Sequence, residues 1–138
     1  LDGFILLTLL RGKNLNYDSN WLRLAVPRNY FNLSKKEVEA IVSAINFEAA
    51  FKIVQSSYYS KYFERAQTPE ETLANAEKAF QKAVLQYARS KAIREIFNLG
   101  STLGFITLKK AEAHNLTALS LGVEAQMKPE AIRNQLLI

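Results

Sequence analysis

Thr68-Pro69-Glu70-Glu71 opens the stretch that most restricts how this chain can fold. A Thr at the cap can accept a backbone N–H, Pro at the first helical position lacks the N–H that would be orphaned there, and Glu three residues on closes a capping box. No Gly or Pro follows until Gly100. The pattern predicts one helix over residues 69–97, which at the α-helical rise would be about 44 Å long. Its apolar positions Leu73, Ala76, Phe80, Val84 and Tyr87 hold one face, then drift towards Leu85, Ala88, Ala92 and Ile96. Such a helix is expected to change packing partner along its length.

The rest of the chain carries the same kind of punctuation. Residues 1–15 read as an apolar helix with Gly12 near its C-terminus. Asp18 or Ser19 caps a short helix through Trp21, Leu22 and Val26, which Pro27 stops. Ser34-Lys35-Lys36-Glu37 is a capping box, followed by Val38, Ile41, Val42 and Ile45 as an amphipathic stripe. Asn46 caps the next helix, from Phe47 through Val54. Tyr58, Tyr59, Tyr62 and Phe63, read at helical spacing, are core or subunit-contact residues. Residues 98–101 are expected to end the long helix, a further helix to run over 103–121 with Gly122 terminating it, and Pro129-Glu130 to open a short last helix. With 5 Gly and 3 Pro in 138 residues, no strand is expected; the fold class is all-α, with one long central helix.

Composition excludes several functions. Without Cys there is no disulfide, thiolate metal site or cysteine nucleophile. The longest apolar run, residues 4–10, falls far short of the roughly 20 residues of a membrane span. The net charge of +5 invites a nucleic-acid reading, but residues 1–33 carry four basic and two acidic groups, 34–67 five and four, 68–97 five and four, 98–138 four and three. The excess is spread and not gathered into a stripe. His114 is the one histidine and has no metal-ligating partner one turn away. The acids are scattered among basic residues, and no Walker-type phosphate loop occurs. No catalytic, cofactor-binding or metal residue is assigned, and no cofactor is expected.

Sliding the chain along itself until Gly12 meets Gly122 aligns its two ends. In that register Leu6, Leu9 and Arg23 fall on Leu116, Leu119 and Arg133; Asp2 meets Glu112, Tyr17 meets Met127, Leu22 meets Ile132 and Val26 meets Leu136. Both segments read as helix, Gly-bearing turn, short helix, so 2–26 and 112–136 are expected to share one shape.

Residues 110–122 and 127–133 resemble the closing signature of the C subunit of archaeal and V-type rotary ATPases, known as the d subunit in eukaryotes. Glu112, Asn115, Leu116, Gly122, Pro129, Glu130, Ile132 and Arg133 carry the match. Asp2, Leu6, Thr8, Leu9, Leu10, Arg11 and Lys13 resemble the same signature in an earlier domain, with departures at Ile5, where Asn is usual, and at Asp18-Ser19-Asn20, where Pro-Glu-Glu is common. The resemblance implies helical domains of a three-domain, funnel-like subunit. Residues 1–33 would be the tail of a preceding repeat domain and 34–138 the complete C-terminal one; the start inside an apolar helix, without Met, fits a C-terminal fragment. It further implies a non-enzymatic rotor subunit of the central stalk, peripheral to the cytoplasmic side of the cell membrane. Its partners would be the other stalk subunits and the membrane ring, and it would couple proton or sodium transport to ATP synthesis or hydrolysis. Arg11 and Lys13 are the candidate partner contacts, at a helix C-terminus where the macrodipole favours positive charge. The alternative reading is a helical nucleic-acid-binding module.

Overall fold

A computed structural model describes residues 1–94 and 99–137. Among these the regular structure is entirely helical: α1 (Asp2–Asn14), α2 (Ser19–Ala25), α3 (Lys35–Ser43), α4 (Phe47–Gln55), a 3-10 turn (Ser60–Tyr62), α5 (Pro69–Arg94), α6 (Leu99–Glu124) and α7 (Pro129–Arg133). The all-α expectation holds. α5 runs unbroken to Arg94, while the predicted end at Phe97 lies outside the described residues. It shares the greatest length with α6, each having 26 residues.

Local chemistry sets most helix starts. The Asp18 carboxylate accepts the Asn20 amide, Asn46 Oδ1 accepts that of Ala49, and the Thr68 hydroxyl accepts that of Glu71. Ser34 and Glu37 form a complete capping box: the Ser34 hydroxyl accepts the Glu37 amide at 3.2 Å, and Glu37 accepts the Ser34 amide at 2.7 Å.

By contacts the chain forms two compact units, Leu1–Phe80 and Gln81–Ile138. The core of the first is built by α1 (Ile5, Leu6, Leu9, Leu10), α2 (Leu22), α3 (Val38, Ile41, Val42), α4 (Ala50, Phe51, Val54) and the start of α5 (Leu73, Ala76). Each fully buried Leu or Ile contributes about 1.5–3 kcal/mol. Around Phe80 gather Tyr59, Tyr62 and Phe63, with ring centroids 4.7–6.0 Å away. In the second unit, Leu85, Ala88, Ala118 and Ile132 are buried. The change of partner along α5 is therefore real: Leu73 and Ala76 are buried in the first unit, Leu85 and Ala88 in the second.

Several boundaries differ from expectation. Ile45 is 95% exposed, because α3 stops at Ser43 and extended Ala44 turns the chain outward. Val84 and Tyr87 are exposed, since the buried stripe of α5 has shifted by one position before reaching them. Tyr58, Tyr59, Tyr62 and Phe63 do not lie on an α-helix; α4 ends at Gln55 and a turn precedes the 3-10 segment. Leu99, Gly100 and Ser101 begin α6 instead of ending α5, and α6 continues past Gly122 to Glu124.

Candidate functional site

The C-terminal turn of α1 and its counterpart in α6 stand out in the sequence, and the backbone treats them alike. Tyr17 N–H reaches the Gly12 carbonyl at 2.8 Å, Asn16 N–H that of Lys13 at 3.2 Å, and Leu15 N–H that of Arg11 at 3.0 Å. At the matching positions of the second copy, Met127 reaches Gly122 at 2.9 Å, Gln126 reaches Val123 at 3.0 Å, and Ala125 reaches Leu121 at 2.9 Å. Asn16 and Gln126 both take the left-handed conformation, at φ 56° and 52°. These are two Schellman closures, with a non-Gly residue in the strained position.

The glycines therefore do not terminate the helices, contrary to what the sequence pattern suggests for Gly122. They make room. A Cβ at Gly12 would overlap the Leu22 side chain, and one at Gly122 would lie 2.6 Å from Ile132 Cγ1. Leu22 on α2 and Ile132 on α7 are themselves counterparts in the repeat. The residues capping these helices match as well: Asp18 at φ −61°, ψ 145° and Lys128 at φ −60°, ψ 141°. The shared helix–turn–helix of 2–26 and 112–136 is present in the structure.

Arg11 and Lys13 lie in the last turn of α1 and are both engaged within the first unit. Arg11 forms an ion pair with Glu77 of α5, with both side chains nearly half exposed. Lys13 is buried, and its Nζ donates to the Ala44 carbonyl, just past the end of α3, at 2.7 Å. Burial pulls the Lys13 ammonium below its ordinary pKa; Asp18 opposes that shift and Arg23 adds to it. Next in the chain, Asn14 Nδ2 donates to Glu70 Oε1 at 2.7 Å. One turn of α1 thus ties the end of α3 to the start of α5.

Asp2, at the opposite end of α1, enters the sequence pattern as the counterpart of Glu112 in the repeat and as one residue of the N-terminal signature. It is buried and accepts from the amides of Phe31 (3.0 Å), Asn32 (2.7 Å) and Leu33 (3.1 Å) and from the Tyr59 hydroxyl (2.8 Å). Burial raises its pKa, but the three amides and the Tyr59 hydroxyl outweigh this, and the net shift is downward. The available signal is a single carboxylate in the first turn of α1, just ahead of the apolar run 4–10. In the second repeat Asn115 behaves as a peptide mimic: its Oδ1 accepts the Leu137 amide at 2.8 Å, and its Nδ2 donates to the Leu137 carbonyl at 3.1 Å.

His114 is exposed on α6, and among the described residues no group of three His, Cys, Asp or Glu could hold a metal ion. Among them, too, no helix is long and apolar enough to cross a membrane.

Comparison with known proteins points the same way. The family model of the ATP synthase (C/AC39) subunit matches residues 1–135. The A-type ATP synthase C subunit of Methanocaldococcus jannaschii is 27% identical over 132 residues, which cover 94% of this chain and 33% of that protein. The chain thus spans about a third of the length of this relative. No solved structure matches it. A match over nearly all of the chain, joined to the repeated helix–turn–helix, places this protein in the ATP synthase (C/AC39) subunit family.

Proposed function

We propose that this chain is part of a non-catalytic rotor subunit of the central stalk in an A/V-type ATP synthase. It would couple the shaft to the ion-translocating ring, at the cytoplasmic face of the membrane, and so link proton or sodium transport to ATP synthesis or hydrolysis. The observation that carries this reading is the family match over residues 1–135, together with a relative that is itself an A-type ATP synthase C subunit. Two helices of 26 residues suit a part that transmits torque, because a helix resists bending where a loop does not.

Residues 1–33 and 34–138 are proposed as the tail of one repeat domain and the body of the next, since the unit at 2–26 recurs at 112–136. Arg11 and Lys13 are proposed as its contact with a partner: Arg11 through its exposed half, Lys13 by tying this end of α1 to the Ala44 carbonyl. The partners would be the other stalk subunits and the membrane ring.

Affinity-tagged chain co-expressed with stalk and ring subunits tests the proposal. It should co-purify with them, bind no nucleotide and show no ATPase activity alone. Capture of DNA or RNA that weakens steeply with salt, without stalk subunits, would favour a nucleic-acid module instead.

A further inference from the structure

In the first unit a cavity of about 510 Å³ opens between α2, residues 26–30 and α3. Its lining combines buried Val26 and Val38 with Leu24, which is 82% exposed. The charged groups of the same lining are Arg23, Arg28, Lys35 and Glu39, three cations against one carboxylate, a net charge of +2. Arg23 is fixed from two sides: its Nε donates to Glu39 at 3.1 Å and its Nη1 to Asn20 Oδ1 at 3.3 Å. Glu39 is thereby occupied, and among the described residues neither Arg28 nor Lys35 has an ion-pair partner. Lys35 is moreover the first residue of α3, where the helix dipole disfavours a cation.

We propose that this cavity binds an acidic peptide segment of a partner protein, one in which an aliphatic side chain lies between two carboxylates. The aliphatic group packs against Leu24 and the wall of Val26 and Val38. One carboxylate takes the Arg28 guanidinium, whose planar fork matches it, and the other takes the Lys35 ammonium. The openness of the lining decides the class of ligand. Small-molecule sites enclose most of their ligand, whereas Arg23, Leu24, Arg28 and Lys35 are all exposed, so that a chain segment can lie across them. A nucleic-acid strand would need an open aromatic face for its bases; Tyr30, the aromatic group of the lining, packs against the core, and Glu39 repels phosphates. An inorganic anion would pair with the cations but leave Leu24 in water. The inference stands on this cavity and does not need the rotor role.

The test selects random peptides displayed on phage against the full chain, then titrates the recovered peptides with amide NMR as the readout. Recovered sequences should carry an aliphatic residue flanked by acids and should shift the amides of residues 23–28 and 35–39. Replacing their acids by amides should weaken binding about tenfold or more. Arg28→Gln with Lys35→Gln should weaken it by a similar factor and leave the thermal midpoint unchanged, since both side chains are exposed. Added salt should weaken the wild-type complex far more than that of the double variant. Leu24→Ser should weaken binding about fivefold and keep the salt dependence. The proposal is overturned if no peptide is recovered, if the recovered peptides are not acidic, or if they bind the double variant as tightly as wild type. Displacement of the peptide from these amides by oligo(dT), by phosphatidylserine-containing vesicles, or by inorganic phosphate beyond the effect of sodium chloride at equal ionic strength would overturn it in favour of nucleic acid, lipid or a free anion.

Discussion

α1 carries Asp2, Leu6 and Leu9 into burial, while α6 carries Glu112, Leu116 and Leu119 at the same register into solvent. The frames around them are equivalent: the same Schellman hydrogen bonds, the same left-handed residue, the same Gly facing an apolar side chain of the next helix. What differs is the cover. The frame is specified within about 25 residues by backbone and steric rules, so it survives in both places. The cover comes from residues far along the chain, so it can be present over one frame and absent over the other. The positions facing it have diverged in step, from a buried hub to an exposed pair and from Ile5 to Asn115.

The sharpest way to break the comparison is to remove the carboxylate from each copy. Asp2→Ala would leave three amides and the Tyr59 hydroxyl without their acceptor, and is expected to cost about 3 kcal/mol or more. Glu112→Ala removes one exposed pair and should change stability by less than about 0.5 kcal/mol. Denaturant unfolding of both variants checks this; equal effects would mean that the two acids share a role.

Exchanging Ile5 and Asn115 comes next. Asn115 is satisfied by both backbone groups of Leu137, whose counterpart in the first copy is Pro27, which has no N–H. Ile5→Asn therefore buries an amide without its donor and removes a fully buried side chain, at about 2–4 kcal/mol. Asn115→Ile loses two hydrogen bonds at a half-buried site, about 1–2 kcal/mol. If the pairing is as described, adding Pro27→Leu to Ile5→Asn should recover part of the loss, which a double-mutant cycle would measure.

Acidification probes the first copy as well. Asp2 has a folded-state pKa below its ordinary 3.8. The unfolded chain therefore takes up the proton first as pH falls, and the stability Asp2 contributes is complete above its unfolded pKa and lost as pH falls through the folded one. Wild type should lose stability in that window, while Asp2→Ala should lose less. Acid titrations of unfolding that coincide for the two proteins would remove Asp2 from the account.

Helix starts are legible in the sequence because each is written in three or four adjacent residues: Ser34 with Glu37, Asn46, Thr68 with Pro69. The repeat is legible from spacing, although spacing alone assigns Gly122 the wrong task. A Gly near a helix end looks like a terminator until the structure shows Leu22 or Ile132 against it. Asp2 cannot be read as a hub, because its donors lie 29–57 residues away and three of them are backbone amides, which leave no trace in side-chain pattern. Arg11 and Lys13 are placed correctly at a helix C-terminus, but Glu77 and Ala44 are long-range partners of the same kind.

Small effects are expected at that last pair as well. Their counterparts in the second repeat are Leu121 and Val123, both exposed, so Arg11→Leu and Lys13→Val convert one turn into the other. The Arg11–Glu77 ion pair joins two half-exposed side chains, so solvent screening limits the cost of Arg11→Leu to about 0.2–1 kcal/mol. Lys13→Val leaves the Ala44 carbonyl without its donor, yet also removes a cation that burial disfavours; these oppose each other and the net change should be within about 1 kcal/mol. The sign of its pH dependence is the clearer readout. With a folded pKa below the ordinary 10.5, Lys13 gives up its proton in the folded state before the unfolded chain does, so wild-type stability receives a rising contribution between those two values. Lys13→Val should lack that rise, and Arg11→Leu should keep it. Neither change should melt the turn, because Asn16 and the Gly12 and Lys13 carbonyls hold it through backbone alone. A folded Arg11→Leu chain that loses salt-sensitive association with stalk or ring subunits would then locate a partner contact at Arg11. Unchanged association at low and physiological salt would leave Arg11 with Glu77 as its whole role.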